Sequence, residues 1–327
     1  MGVPSRPHST TGVKRSRPHN LNVLQRRYHA EFYETVAKVM ALRASYLQER
    51  ILFVKGSEMV AILKGLGARD EDFPLIQRIS DSTGPDPTFE YRTVTAARYC
   101  LDSETRCIQR LEKRSPLSAR AADEHYKRYD PGPQREFDEA SMEVQGNTVV
   151  QALMLFKALV VHKVAVFPRE KLDYASHQWV CSVFNVRIMT DDRQGVQGEP
   201  ATGGVQSDGS DHTMTVLLGS SNMRSDSAVT YLHDNLETTG APLWETNPAL
   251  IRGRVQHRNF LDTLVFADHH YKRCVTQLNA SDPSERAWRD MLVVFTRRPK
   301  LDEHGVGHTE TQTLHATCPL QIPIWLP

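Results

Sequence analysis

Apolar residues recur at helical spacing from Leu21 to Leu63, through Leu24, Phe32, Val36, Val39, Leu42, Leu47 and Ile51. A repeat of three to four residues predicts two or more amphipathic helices packed as one layer. Segment 69–146 keeps no such period. Its charges are mixed and Pro74, Pro85, Pro87, Pro116, Pro131 and Pro133 interrupt it, which predicts helix fragments and loops. Most positions in 149–166 are apolar, as in a buried helix that runs into a strand near Val164-Ala165-Val166. Beyond Pro168 the pattern changes to short β-rich runs over 179–188, 213–218, 228–232, 262–266, 274–278 and 290–296, parted by turn-rich segments such as 190–209. Short strands behind a helical layer predict an α+β sandwich or barrel with one sheet covered by helices.

Composition narrows the partners. Forty basic side chains nearly cancel thirty-nine acidic ones, so no global field draws the chain to nucleic acid or to an anionic membrane surface. A small-molecule partner is favoured, with oligomeric state left open. No run approaches the roughly twenty apolar residues of a membrane span. Cys100, Cys107, Cys181, Cys274 and Cys318 are odd in number and lack the paired spacing of tetrahedral zinc sites; they read as reduced thiols of a cytoplasmic protein. Residues 1–20 are rich in Ser, Pro, His, Arg and Lys and hold no acid, as in a disordered basic tail. Pro4, Pro7 and Pro18 oppose the amphipathic helix of a transit peptide. The length suits one large domain over 21–327.

The candidate chemistry lies in an ordered series. It runs Pro200-Ala201-Thr202-Gly203-Gly204-Val205-Gln206-Ser207-Asp208-Gly209, then Asp262-Thr263-Leu264-Val265-Phe266-Ala267-Asp268, then Val275-Thr276, then a strand opening on Arg289-Asp290. In order and spacing this resembles the 2-oxoglutarate/Fe(II) dioxygenases, in particular the small-amino-acid hydroxylases typified by bacterial L-isoleucine 4-hydroxylase. Their first piece reads Pro-x-x-Gly-Val-His-x-Asp-Gly, their second ends in a turn followed by a distal His, and their third begins Arg-Asp. The resemblance covers about the last third of the chain. It implies a double-stranded β-helix, a cupin-like jelly roll, with an N-terminal helical layer: a helical part over about 21–165, a β-helix core over about 166–300 and a C-terminal extension over 301–327.

Such enzymes need two His and one carboxylate on one face of Fe(II), leaving positions for 2-oxoglutarate and dioxygen. Under the resemblance both His positions are substituted. Gln206 takes the first, and its amide oxygen is a weak, neutral ligand. Arg273 takes the distal one; a guanidinium has five donors and no acceptor. At 4 Å from a dication it would cost about 8 kcal/mol at an effective dielectric of 20. Asp208 remains at the carboxylate position, and by itself reads as a turn residue before Gly209. With Arg273 turned inward, the two would form an ion pair where the metal is missing.

Other registers are open. His270 lies three residues before Arg273, a shift that turns a strand residue to the opposite face. His269 keeps parity but lies about 13 Å away along an extended strand. Both fall in an inferred turn, where a rebuilt loop could bring one inward; otherwise they are a solvated pair. His212 and His233 are spare candidates, although a lone strand His is more often a hydrogen-bonded surface or core residue. Arg289 resembles the residue that grips the distal carboxylate of 2-oxoglutarate, a task that suits a planar fork. The plain alternative is a surface salt bridge to Asp290 or Glu285.

Three functions follow. In the leading one, Asp208, Arg273, Gln206 and His270 carry out metal-independent, non-redox chemistry with no cofactor. That chemistry would be isomerisation, cyclisation or elimination on a small carboxylate or amino-acid-derived substrate, with Arg289 holding the carboxylate. The second is a genuine hydroxylase that uses Fe(II) and 2-oxoglutarate through an altered triad, its metal ligands unknown. The third is a non-catalytic binding relic. A fold alone does not choose among them.

Overall fold

The computed structural model describes residues 20–113, 137–170, 172–201, 203–301 and 312–327. The expected tail over 1–20 lies, but for Asn20, outside them. Helices come first: α1 (Val23–Arg26), α2 (Ala30–Glu49), α3 (Gly56–Leu66) and α4 (Asp72–Ile76), then α5 (Met142–Gly146) and α6 (Thr148–Val161). Every residue of α6 is buried, which explains its near-continuous apolar sequence: a helix surrounded on all sides has no polar face. Asn147 starts it, its side-chain oxygen accepting the N–H groups of Val149 and Val150. The helix ends at Val161, and the strand expected near 164–166 does not form. Val164 N instead donates to Val161 O, closing a turn.

The strands are β1 (Ile51–Val54), β2 (Gly84–Pro85), β3 (Arg92–Asp102), β4 (Cys107–Leu111), β5 (Asp138–Glu139), β6 (Gln178–Thr190), β7 (His212–Ser221), β8 (Thr230–Asp234), β9 (Ile251–Val255), β10 (Thr263–Ala267), β11 (Tyr271–Val275), β12 (Ala287–Arg297) and β13 (Gln321–Pro323). Ten form one sheet in the order β1-β10-β7-β12-β6-β3-β4-β13, with β2 and β5 on β3; the order β11-β8-β9 makes a second, three-stranded sheet. One face of the large sheet joins the helical core, for example through Met214, Val216 and Leu218 of β7 with Leu153 and Phe156 of α6. The opposite face meets the small sheet, where Leu232 of β8 packs with Leu264 and Phe266 of β10. This is a double-stranded β-helix with an N-terminal helical layer. Among the described residues no helix is long and apolar enough to cross a membrane.

Three further details depart from the sequence reading. Strands β3 and β4 lie in 69–146, where helix fragments and loops were expected, so the helical part does not run to 165. Residues 97–102 of β3 are buried without alternation, and a strand covered on both faces shows no period of two. Charges mask it further: Arg92 is neutralised by Asp86. Strand β1 interrupts the expected helical run at Ile51 because it pairs with β10. In the extension expected over 301–327, β13 adds to the sheet edge on β4.

Candidate ligand site between the sheets

The mouth of the barrel is built where the segment before β7 meets β11. Gln206 and Arg273 form an isolated antiparallel bridge, Gln206 N to Arg273 O at 2.9 Å and Arg273 N to Gln206 O at 2.7 Å. Residues directly opposite in such a bridge project to the same face. From that face Arg273 Nη2 donates to Asp208 Oδ1 at 2.7 Å, while its Nε donates to Oδ2. The carboxylate is thus gripped by both oxygens, the strong bidentate form of the pair. Burial alone would lower the Arg273 pKa, but Asp208 outweighs it and holds the guanidinium above its ordinary value.

Asp268 fixes this turn. Its carboxylate accepts from Asp208 N at 2.8 Å, Ser207 Oγ at 2.8 Å, Ser210 N at 3.2 Å and Arg169 Nη2 at 3.2 Å. Burial and the Asp208 charge nevertheless push its pKa up to about 7. On the other side the β8–β9 loop closes over the segment: Val205 N donates to Ala241 O and Gly240 N to Val205 O. Gly204 permits that approach. It has φ +70°, and a Cβ there would stand 2.4 Å from Ala241 O.

Deeper between the sheets lies Arg289 of β12, 3% exposed. Its one hydrogen-bond contact among the described residues is Nη2 to His257 Nδ1 at 3.3 Å, and its Nε is buried without a partner. His257 Nε2 lies 3.1 Å from Thr215 Oγ1 and 3.2 Å from Thr215 O. A carbonyl only accepts, so Nε2 carries the proton and Nδ1 accepts from Arg289. Burial, then the Arg289 charge, push His257 down to about 3, so the ring is neutral. Burial, then Arg273, pull Arg289 down to about 10, which leaves it protonated at neutral pH. The surface salt bridge considered for Arg289 is not made: Asp290 instead accepts two bonds from Arg187, each at 2.7 Å.

Gln206, Asp208 and Arg273 therefore meet at the mouth, with Arg289 beneath them, but His270 is not brought there. Its ring lies 4.5 Å from that of His269 and 5.3 Å from that of Phe167, because the β10–β11 turn carries both histidines away from the inter-sheet face. His212 and His233 stand apart as well, the first bonded to Tyr46 of α2 and the second 3.9 Å from Glu237. Among the described residues no group of three or more His, Cys, Asp or Glu could hold a metal ion. Sequence reasoning missed His257 and Asp268. Asp268 was inside a quoted segment, but its clamp on the turn depends on contacts up to 61 residues apart; His257 follows the short edge strand β9 with no pattern to mark it.

The same architecture recurs in solved structures, one of them a dioxygenase, which gives the class. The Fe(II)/α-ketoglutarate-dependent dioxygenase TqaL is 38% identical with a TM-score of 0.78, the match covering 90% of this chain and 98% of that one. A bsmA homolog from Methylobium petroleophilum, 18% identical with a TM-score of 0.58 over 78% of this chain and 93% of its own, shares the fold. The family follows from sequence. Residues 77–295 match the model described as 2OG-Fe dioxygenase. The bifunctional enzyme flvA of Aspergillus flavus is 46% identical over 321 residues, 97% of this chain and 38% of that protein. The chain belongs to the 2OG-Fe dioxygenase family of enzymes, and spans about 38% of the length of this relative.

Proposed function

We propose that this enzyme has exchanged iron for an internal ion pair and acts, without a redox step, on a small carboxylate or an amino-acid-derived substrate. The donor set at the mouth does not fit Fe(II). A guanidinium offers no lone pair, an amide oxygen is a poor ligand, and both oxygens of Asp208 are held by Arg273.

The observation that carries the reading is Arg289, a buried cation with no anionic partner among the described residues. An isolated charge in the interior is costly, and a ligand carboxylate would supply the missing counter-ion through two parallel N–H···O bonds. Arg273, Asp208 and Arg289 together leave one positive charge between the sheets, which matches one carboxylate. A substrate anchored there would extend past the apolar wall of Leu232, Leu264 and Phe266 towards the mouth. In this reading Asp208 moves the proton, Arg273 stabilises negative charge as it develops, and the Gln206 amide orients the reacting group. Those roles suffice for an isomerisation, a cyclisation or an elimination.

The test is metal analysis of the purified protein followed by incubation with small carboxylates and amino acids in the presence of a chelator. Products with unchanged mass, or lacking water or ammonia, are expected. Stoichiometric iron with substrate-dependent release of succinate from 2-oxoglutarate would overturn the proposal in favour of a hydroxylase with an altered triad.

A further inference from the structure

On the helical side of the large sheet a second set of buried polar groups lacks partners. Tyr46 OH and His212 Nδ1 are 2.8 Å apart, which leaves His212 Nε2 buried and unbonded. The ring nitrogens of His269 and Nη1 of Arg50 are also buried without a close hydrogen bond, one His269 nitrogen facing the backbone of Asp211. Folded interiors pair nearly all such atoms, because an orphan costs its full desolvation. These four are not scattered. The Arg50 charge acts on His212 and His269 alike, and His269 acts on His212.

We propose that the cluster of buried nitrogens between the end of α2 and the β10–β11 turn binds a small monovalent anion of halide size. The His212 and His269 ring centroids are 6.5 Å apart, a separation that one atom can bridge with contacts of about 3 Å to each ring nitrogen. Charge selects the sign of the ligand. Of the cations acting on these rings, Arg169 is paired with Asp268 and Arg298 is balanced by Asp211. Lys157 donates only to the carbonyls of His212 and Val294, and Arg50 has no ion-pair partner among the described residues. A metal cation would meet the uncompensated Arg50 charge, whereas an anion meets the N–H donors of Arg50 and His212.

The carbonyls at the end of α2 would repel an anion, but Tyr46 O is bonded by Arg50 N and Arg50 O by Ala267 N. Trp179, buried and 5.5 Å from His212, flanks that ring, and the exposed Phe167 lies 5.7 Å from His269. The buried apolar side favours a weakly hydrated ion such as chloride or bromide. Asp268 immediately precedes His269, so an anion here would brace the turn that positions Asp208 and Arg273.

The test uses the whole chain. Thermal stability is followed as chloride replaces gluconate at fixed ionic strength, and bromide-soaked crystals are examined by anomalous diffraction. Expected are a saturable stabilisation by chloride, a bromide peak between His212 and His269, and at least a tenfold weaker chloride effect in Arg50→Gln, a half-buried position that should still fold. His212→Gln should behave likewise. No saturable effect, an effect unchanged in Arg50→Gln, or only ordered water at the bromide position would overturn the proposal.

Discussion

Arg273 and Arg289 sense each other's charge in the space between the two sheets, yet one is saturated and the other is not. Arg273 sits near the mouth with a carboxylate gripped on two bonds. Arg289 sits deeper, with a neutral imidazole as its one contact. The first arrangement has its counter-ion built in; the second gains one only with a ligand. The mouth thus stabilises the fold around it, and the floor is kept ready at the expense of stability. Removing Asp208 should therefore have the largest effect. Asp208→Ala would leave Arg273 as a second uncompensated buried cation, and breaking such a pair costs about 3–5 kcal/mol. Urea denaturation should show this loss, while Asp208→Leu combined with Arg273→Met should restore most of it. An unchanged midpoint in Asp208→Ala would mean that the pair contributes nothing.

The second experiment asks whether the mouth is a metal site lacking only its ligands. Gln206→His with Arg273→His restores two imidazoles beside a freed carboxylate, the donor set that Fe(II) favours. The double variant should bind Fe(II) at least a hundredfold more tightly than either single one, about 2.7 kcal/mol, as read by anaerobic titration. A single variant that already binds iron as well as the double would show that one residue, not the ion pair, excludes it.

How legible this was depends on the distance over which each feature is determined. The Asp208–Arg273 pair followed from two substitutions read against a spaced motif, so the sequence carried it despite 65 residues of separation. The β-rich second half was legible because its short runs are rich in β-forming residues and are bounded by turns. Strands β3 and β4 were not, since burial on both faces and inserted arginines leave them without a period of two amid mixed charges and prolines. His270 became a candidate only because a rebuilt turn could have brought it inward against strand parity, and the β10–β11 turn instead holds it beside His269 and Phe167. The unpaired state of Arg289 could not be read at all: the neighbouring Asp290 offers an obvious partner, and only the pleat sends the two side chains to opposite faces of β12.

Arg289 should show opposite effects on binding and stability. Arg289→Met removes a buried charge that has no counter-ion, so the ligand-free protein should gain about 1–3 kcal/mol. The same change should weaken binding of a small carboxylate by more than tenfold, because a desolvated charged contact is commonly worth over about 1.5 kcal/mol. Calorimetric titration and thermal unfolding on one preparation test both signs. A destabilised variant that still binds would place the ligand elsewhere.

The smallest effect tests the floor through pH. His257 has an ordinary value of 6.5 in the unfolded chain and is pushed down to about 3 in the fold by burial and by Arg289. Its contribution to stability is therefore complete above the unfolded value and is lost progressively as pH falls from there towards 3, since the unfolded chain takes up a proton that the fold refuses. The slope is about 1.4 kcal/mol per pH unit for one such group. His212, also held well down by burial, adds a similar term from the helical side. In His257→Leu the slope of unfolding free energy between pH 6 and 4 should fall by about one proton, with the His212 part intact. A carboxylate bound on Arg289 would cancel much of the charge that depresses His257, so saturating ligand should raise its titration midpoint, as followed by NMR of the ring proton on Cε1. A midpoint indifferent to ligand would separate His257 from the binding site and leave Arg289 a cation without a purpose in recognition.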